Sequence, residues 1–176
     1  GIDLLEGDCS GAYHSHHNHG IDPHIWTSPR QLITMASNVY NAIDKLYPDS
    51  TKYQENYKDL VFSLEELEEY VKKKNTGSTP NTFFIYHPAF TYYSNDYNAI
   101  QVSLERDGKE PSVERMREMV DLAKANGIDK IFYQKEFSRS SVEALARELG
   151  AEPVEIDPLA EDIVKVITDF TDMISR

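Results

Sequence analysis

The chain has 176 residues, 40% hydrophobic and 27% charged, which suits one mid-sized domain or one lobe of a two-lobed protein with a piece of the other. Thirty Asp and Glu against eighteen Lys and Arg give a net charge of −12, which repels a phosphate backbone and excludes nucleic acid as a partner. Cys9 stands alone, so neither an intramolecular disulfide nor a multi-cysteine zinc knuckle is available, and no apolar run reaches the roughly twenty residues that span a bilayer.

Gly1 to Gly20 is poor in periodic apolar residues and rich in Gly, Ser, Asp and His, which predicts a loop. A start at Gly1, without Met or leader, points to processing or trimming. Ser28-Pro29-Arg30-Gln31 reads as a helix start, with an N-cap Ser, Pro at the first helical position and Gln at N3; Leu32, Met35, Ala36, Val39 and Ile43 continue at helical spacing. A longer helix is predicted from about Lys52 to Lys74, its acidic turns preceding Lys72-Lys73-Lys74 in the order that favours i,i+4 pairing and places cations at the negative helix end. Asn75 to Pro80 reads as a linker.

Beyond it, strand-like and helix-like segments alternate, the pattern of a mostly parallel sheet covered by helices. The predicted strands are Thr82 to Tyr86, Ile100 to Leu104, Lys130 to Tyr133 and Pro153 to Ile156. The predicted helices are Ser112 to Ala125, Ser140 to Leu149 with a capping box between Ser140 and Glu143, and Pro158 to Ile174.

Histidine carries the chemistry. His14, His16, His17 and His19 form a tract in the polar loop, where several neutral imidazoles on a pliant backbone suit weak, exchangeable capture of a borderline metal such as Zn²⁺. The alternatives are an expression tag or a solvated loop without a role, against which the interspersed Ser and Asn argue for a native segment. His24, in Asp22-Pro23-His24-Ile25-Trp26, sits just ahead of the capped helix and suits a rigid ligand, although a lone histidine there also fits a structural role. His87 follows an apolar strand and precedes Pro88; Asp157 follows Val154-Glu155-Ile156. Ligands of open α/β sheets bind off the carboxyl ends of strands, so His87 and Asp157 are expected at one sheet edge. Asp157 before Pro158 also reads as an ordinary helix cap.

Together, Asp22-Pro23-His24-Ile25-Trp26-Thr27-Ser28-Pro29, His87-Pro88-Ala89-Phe90-Thr91-Tyr92-Tyr93 and Ile156-Asp157-Pro158-Leu159 resemble the zinc and manganese solute-binding proteins of ABC transporters over nearly the whole chain. Glu110-Pro111-Ser112, Ile128-Asp129-Lys130-Ile131-Phe132 and the His-rich loop fit the same family. The resemblance implies a C-terminal α/β lobe at 80–176, a long connecting helix and linker at 48–79, and at 1–47 the end of an N-terminal lobe. It implies an extracytoplasmic protein, periplasmic or lipid-anchored, that is not an enzyme and hands its metal to a membrane permease.

His24 would then be an N-lobe ligand, and His87 and Asp157 C-lobe ligands, with the tract as accessory capture. Family members carry a further histidine earlier than this sequence begins, so a tetrahedral Zn²⁺ site is one ligand short. Gln134 stands where the family commonly has an acid, which removes a salt bridge. Histidine at position 87 tilts the choice to Zn²⁺ over Mn²⁺, which favours oxygen ligands. Binding should weaken as pH falls through about 6.5, the ordinary imidazole range. The alternative is a zinc-dependent hydrolase with the same ligands, but Glu155 and Glu161 are poorly directed as a general base and no hydrolase motif is present.

Overall fold

A computed structural model describes residues 1–7, 20–105 and 111–175. Hydrophobic runs alternating with capped amphipathic segments produce, in order, a 3-10 turn at Ile25–Thr27, then α1 (Pro29–Leu46), α2 (Thr51–Lys74), β1 (Asn81–Ile85), α3 (Thr91–Asp96), β2 (Ala99–Ser103), α4 (Val113–Asn126), β3 (Lys130–Tyr133), α5 (Arg139–Leu149), β4 (Glu152–Glu155) and α6 (Ile163–Ile174). The four strands form one all-parallel sheet in the order β2-β1-β3-β4. The expected α/β class with a mostly parallel sheet is therefore what forms. Pro153 is tolerated because β4 is an edge strand, where a missing N–H breaks no inner ladder.

The two-residue period of the strands separates two cores. On one face Phe83, Ile85 and Phe132 pack with Leu67 and Val71 of α2, Tyr93 of α3, and Ile167, Phe170 and Ile174 of α6. On the other, Phe84, Ile131 and Tyr133 meet Met116, Met119 and Ala123 of α4 and Val142, Ala146 and Leu149 of α5. The C-terminal half of α2 is thus built into the core on one face of the sheet, and its Lys72 pairs with Glu68 at 3.3 Å and with Glu69 at 2.9 Å.

One cap and two helix starts differ from expectation, each for a tertiary or local reason. Ser28 does precede α1, but its hydroxyl and the Gln31 amide donate to Asp96 at 2.6 and 2.8 Å, so the side-chain cap gives way to a tie onto α3. The box expected between Ser140 and Glu143 is absent: α5 begins at Arg139 after Ser138, and Glu143 accepts from the Arg139 guanidinium at 2.8 Å. α6 begins at Ile163, five residues later than expected, because Asp162 caps it by accepting from the Lys165 N–H at 2.9 Å. The short α3 went unanticipated inside the His87 motif. Among the described N-terminal residues, Glu6 and Ile21 form an antiparallel bridge, and the Gly7 N–H donates to Gly20 at 3.0 Å.

Candidate metal site

The carboxyl ends of all four strands converge on one edge. His87 lies two residues past β1, Glu105 two past β2, Gln134 directly past β3 and Asp157 two past β4. Backbone bonds continue beyond the strands, Tyr86 N–H to Phe132 at 2.8 Å and Glu105 N–H to Tyr86 at 3.0 Å, so these positions are held in register. The segment ahead of α1 brings His24 across this edge. It is fastened by the Trp26 indole donating to the Pro158 carbonyl at 2.8 Å and the Tyr92 hydroxyl donating to the Asp22 carbonyl at 3.2 Å.

The His24 and His87 rings stand edge to face with centroids 5.2 Å apart. They line a cavity of about 320 Å³ with Trp26, Gln134, Phe137 and Leu159. Each imidazole is oriented by its own carboxylate: His24 Nδ1 lies 2.8 Å from Asp22 Oδ1, and His87 Nδ1 lies 2.6 Å from Glu105 Oε1. An ionised carboxylate only accepts, so Nδ1 carries the proton in each neutral ring and Nε2 is left with its lone pair. This is the arrangement by which a metal-binding histidine is fixed in tautomer and direction. The Gln134 amide donates to the His87 carbonyl at 3.0 Å and braces the same residue from behind.

Asp22 and Glu105 are both buried. Burial pushes the Asp22 carboxyl up, but hydrogen bonds from the His24 ring, Thr91 and the His24 N–H outweigh it and hold the group below the ordinary carboxylate range. Asp157 is differently placed. Its Oδ2 accepts from Lys135 Nζ at 2.7 Å and its Oδ1 from the Leu159 N–H at 3.0 Å. The Lys135 bond keeps its carboxyl low.

Of the residues expected to bind metal, the structure therefore brings His24 and His87 together and leaves Asp157 paired with Lys135. Among the described residues no group of three or more His, Cys, Asp or Glu is arranged as a metal cage. His14, His16, His17 and His19 lie outside the described residues. Sequence reasoning missed Glu105 and the orienting role of Asp22. The latter was open to inspection, since an Asp two residues before a histidine can close a turn onto it, as the His24 N–H to Asp22 bond of 2.8 Å does.

The family described as "ZnuA: Zinc-uptake complex component A periplasmic" matches residues 1–176. The chain belongs to this family. It is 30% identical over 146 residues to the zinc-binding protein AdcA of Streptococcus pyogenes, covering 81% of this chain and 28% of that protein. It is 31% identical over 150 residues to a putative metal-binding protein of Treponema pallidum, covering 82% and 48% respectively. A crystal structure of a zinc-bound ZnuA deletion mutant superposes with a TM-score of 0.81 at 29% identity, covering 100% of this chain and 67% of that one. The chain thus spans about 28% of the AdcA relative.

Proposed function

We propose that this chain is the metal-capturing part of the extracytoplasmic solute-binding component of an ABC importer, holding Zn²⁺ reversibly in a cleft and passing it to a membrane permease. One observation carries the reading: two imidazoles, each locked by a carboxylate on Nδ1, face one cavity at the carboxyl edge of a parallel sheet, with centroids 5.2 Å apart. Two fixed neutral nitrogens suit Zn²⁺ better than Mn²⁺, which prefers oxygen donors. Asp157 is the carboxylate within this edge that could complete the set, and the tract from His14 to His19 would supply loose capture. Residues 1–47 would close the cleft from an N-terminal lobe, with 48–79 connecting to the lobe at 80–176.

The zinc-bound ZnuA relative and the zinc-binding AdcA relative support this cargo. The hydrolase alternative gains nothing: Asp22 and Glu105 are committed to the imidazoles, and the family is a transport component.

Zinc titration of the full-length chain by calorimetry and native mass spectrometry tests it. His24→Ala and His87→Ala should each weaken the tight site at least about tenfold, since each removes one of few ligands. Deletion of residues 14–19 should lower total zinc uptake and leave that site intact. Loss of all binding on deletion, with both single variants unchanged, would place the site in the tract and refute the cleft.

A further inference from the structure

The Lys135–Asp157 pair links the two loops whose neighbouring residues line the same cavity. Lys135 lies between Gln134 and Glu136, and Asp157 directly precedes Pro158 and Leu159; all four of these neighbours line the cavity. The Trp26 indole holds the Pro158 carbonyl at 2.8 Å, so the loop bearing Asp157 is fastened to the loop bearing His24. Asp157 is therefore carried on a loop that borders the imidazole cavity, with its carboxylate turned to an ammonium.

Charge and exposure determine what a divalent ion would do here. Asp22 and Glu105 are each spent on an imidazole, so a carboxylate ligand would have to be a less committed one. The Lys135 and Asp157 side chains are 56% and 30% exposed, and an ion pair so wet is weakly held. A dication at the imidazoles attracts the carboxylate and repels the ammonium, so both effects favour exchange of partner.

We infer that Lys135 is an internal competitor of the cargo ion: its ammonium holds Asp157 before capture, yields the carboxylate to the metal, and takes it back on release. The inference rests on the cleft reading above and adds the device that sets affinity and release rate.

The test is zinc affinity by competition with a chelating dye, and zinc release by stopped-flow, on the full-length chain carrying Lys135→Met, Lys135→Gln, Asp157→Asn or both changes. Removing the ammonium should tighten binding and slow release by about three- to tenfold, the sum of a freed carboxylate and a lost repulsion. Asp157→Asn should loosen binding about tenfold, and the gain from Lys135→Met should vanish in the Asp157→Asn background. Unchanged or weaker binding in both Lys135 variants overturns the inference, as does an undiminished gain without Asp157, which would make Lys135 a mere background charge. Loosening by Glu136→Gln with none by Asp157→Asn would assign the carboxylate to Glu136 and equally overturn it. Failure of the cleft reading itself is distinguishable, because His24→Ala and His87→Ala would then leave affinity unchanged.

Discussion

A histidine becomes a good ligand when something else fixes its ring, and the groups placed to do so at His24 and His87 are the carboxylates of Asp22 and Glu105. Glu105 holds His87 Nδ1 at 2.6 Å from a buried position at the end of β2. Replacing it with Ala frees the ring to rotate and to change tautomer, and zinc affinity should fall about 10- to 100-fold. Glu105→Gln keeps an oxygen that accepts from Nδ1–H and loses only the charge, so its loss should be the smaller of the two; calorimetric titration of both variants measures the difference. His24 and His87 were legible from their immediate neighbours, a turn before a helix and an apolar strand before a proline. Glu105 was not, because it is 18 residues from His87 and reaches it only through the β1–β2 register that sets Ile85 opposite Ser103.

At the scale of elements, the seam joining α2, α3 and α6 is a polar chain inside an apolar core. The Asn75 amide donates to the Tyr93 hydroxyl at 3.0 Å, Tyr93 lies 3.0 Å from Thr171 Oγ1, and Thr171 donates to the Ile167 carbonyl at 2.6 Å, which leaves Tyr93 as donor to Thr171. Burial pushes the Tyr93 phenol up to about 12. A raised folded-state value means that stability is complete below the unfolded value near 10 and is lost as pH rises from there through the folded value. Two units of difference correspond to about 2–3 kcal/mol, so urea unfolding of the parent should weaken by that amount between about pH 10 and 12 relative to Tyr93→Phe. Equal pH slopes in the two proteins would refute the assignment. Element existence was largely readable from periodicity, since β3 forms over its predicted residues and α2 starts within one of them. Helix starts were less so: Ser28 and Gln31 carry the letters of a capping box, yet Asp96, 68 and 65 residues away, claims both side chains. Local signals state which cap is possible, and a distant carboxylate decides whether it forms.

For the whole molecule, the site matters because its two imidazoles come from segments 63 positions apart in numbering, His24 ahead of α1 and His87 on the sheet edge. The sheet edge could be anticipated from strand ends, whereas the order β2-β1-β3-β4 depends on which crossovers pack best and leaves no mark in any one strand. On the proposed function, a metal shared by His24 and His87 would tie the N-terminal segment to the sheet edge, and so would bind the folded state and stabilise it by mass action. At a free zinc concentration 100 times Kd the gain is about 2.7 kcal/mol, which for a chain of this size raises the melting temperature by about 5–10 °C. The rise should vanish in the His24→Ala, His87→Ala double variant and persist when residues 14–19 are deleted. Trp26 is the chain's single tryptophan and its ring lies 5.6 Å from that of His24, so its fluorescence reports the same event at the site itself. Scanning calorimetry and Trp26 emission should therefore respond over one zinc range; a thermal gain without a change in Trp26 emission would mean that the stabilising ion sits elsewhere.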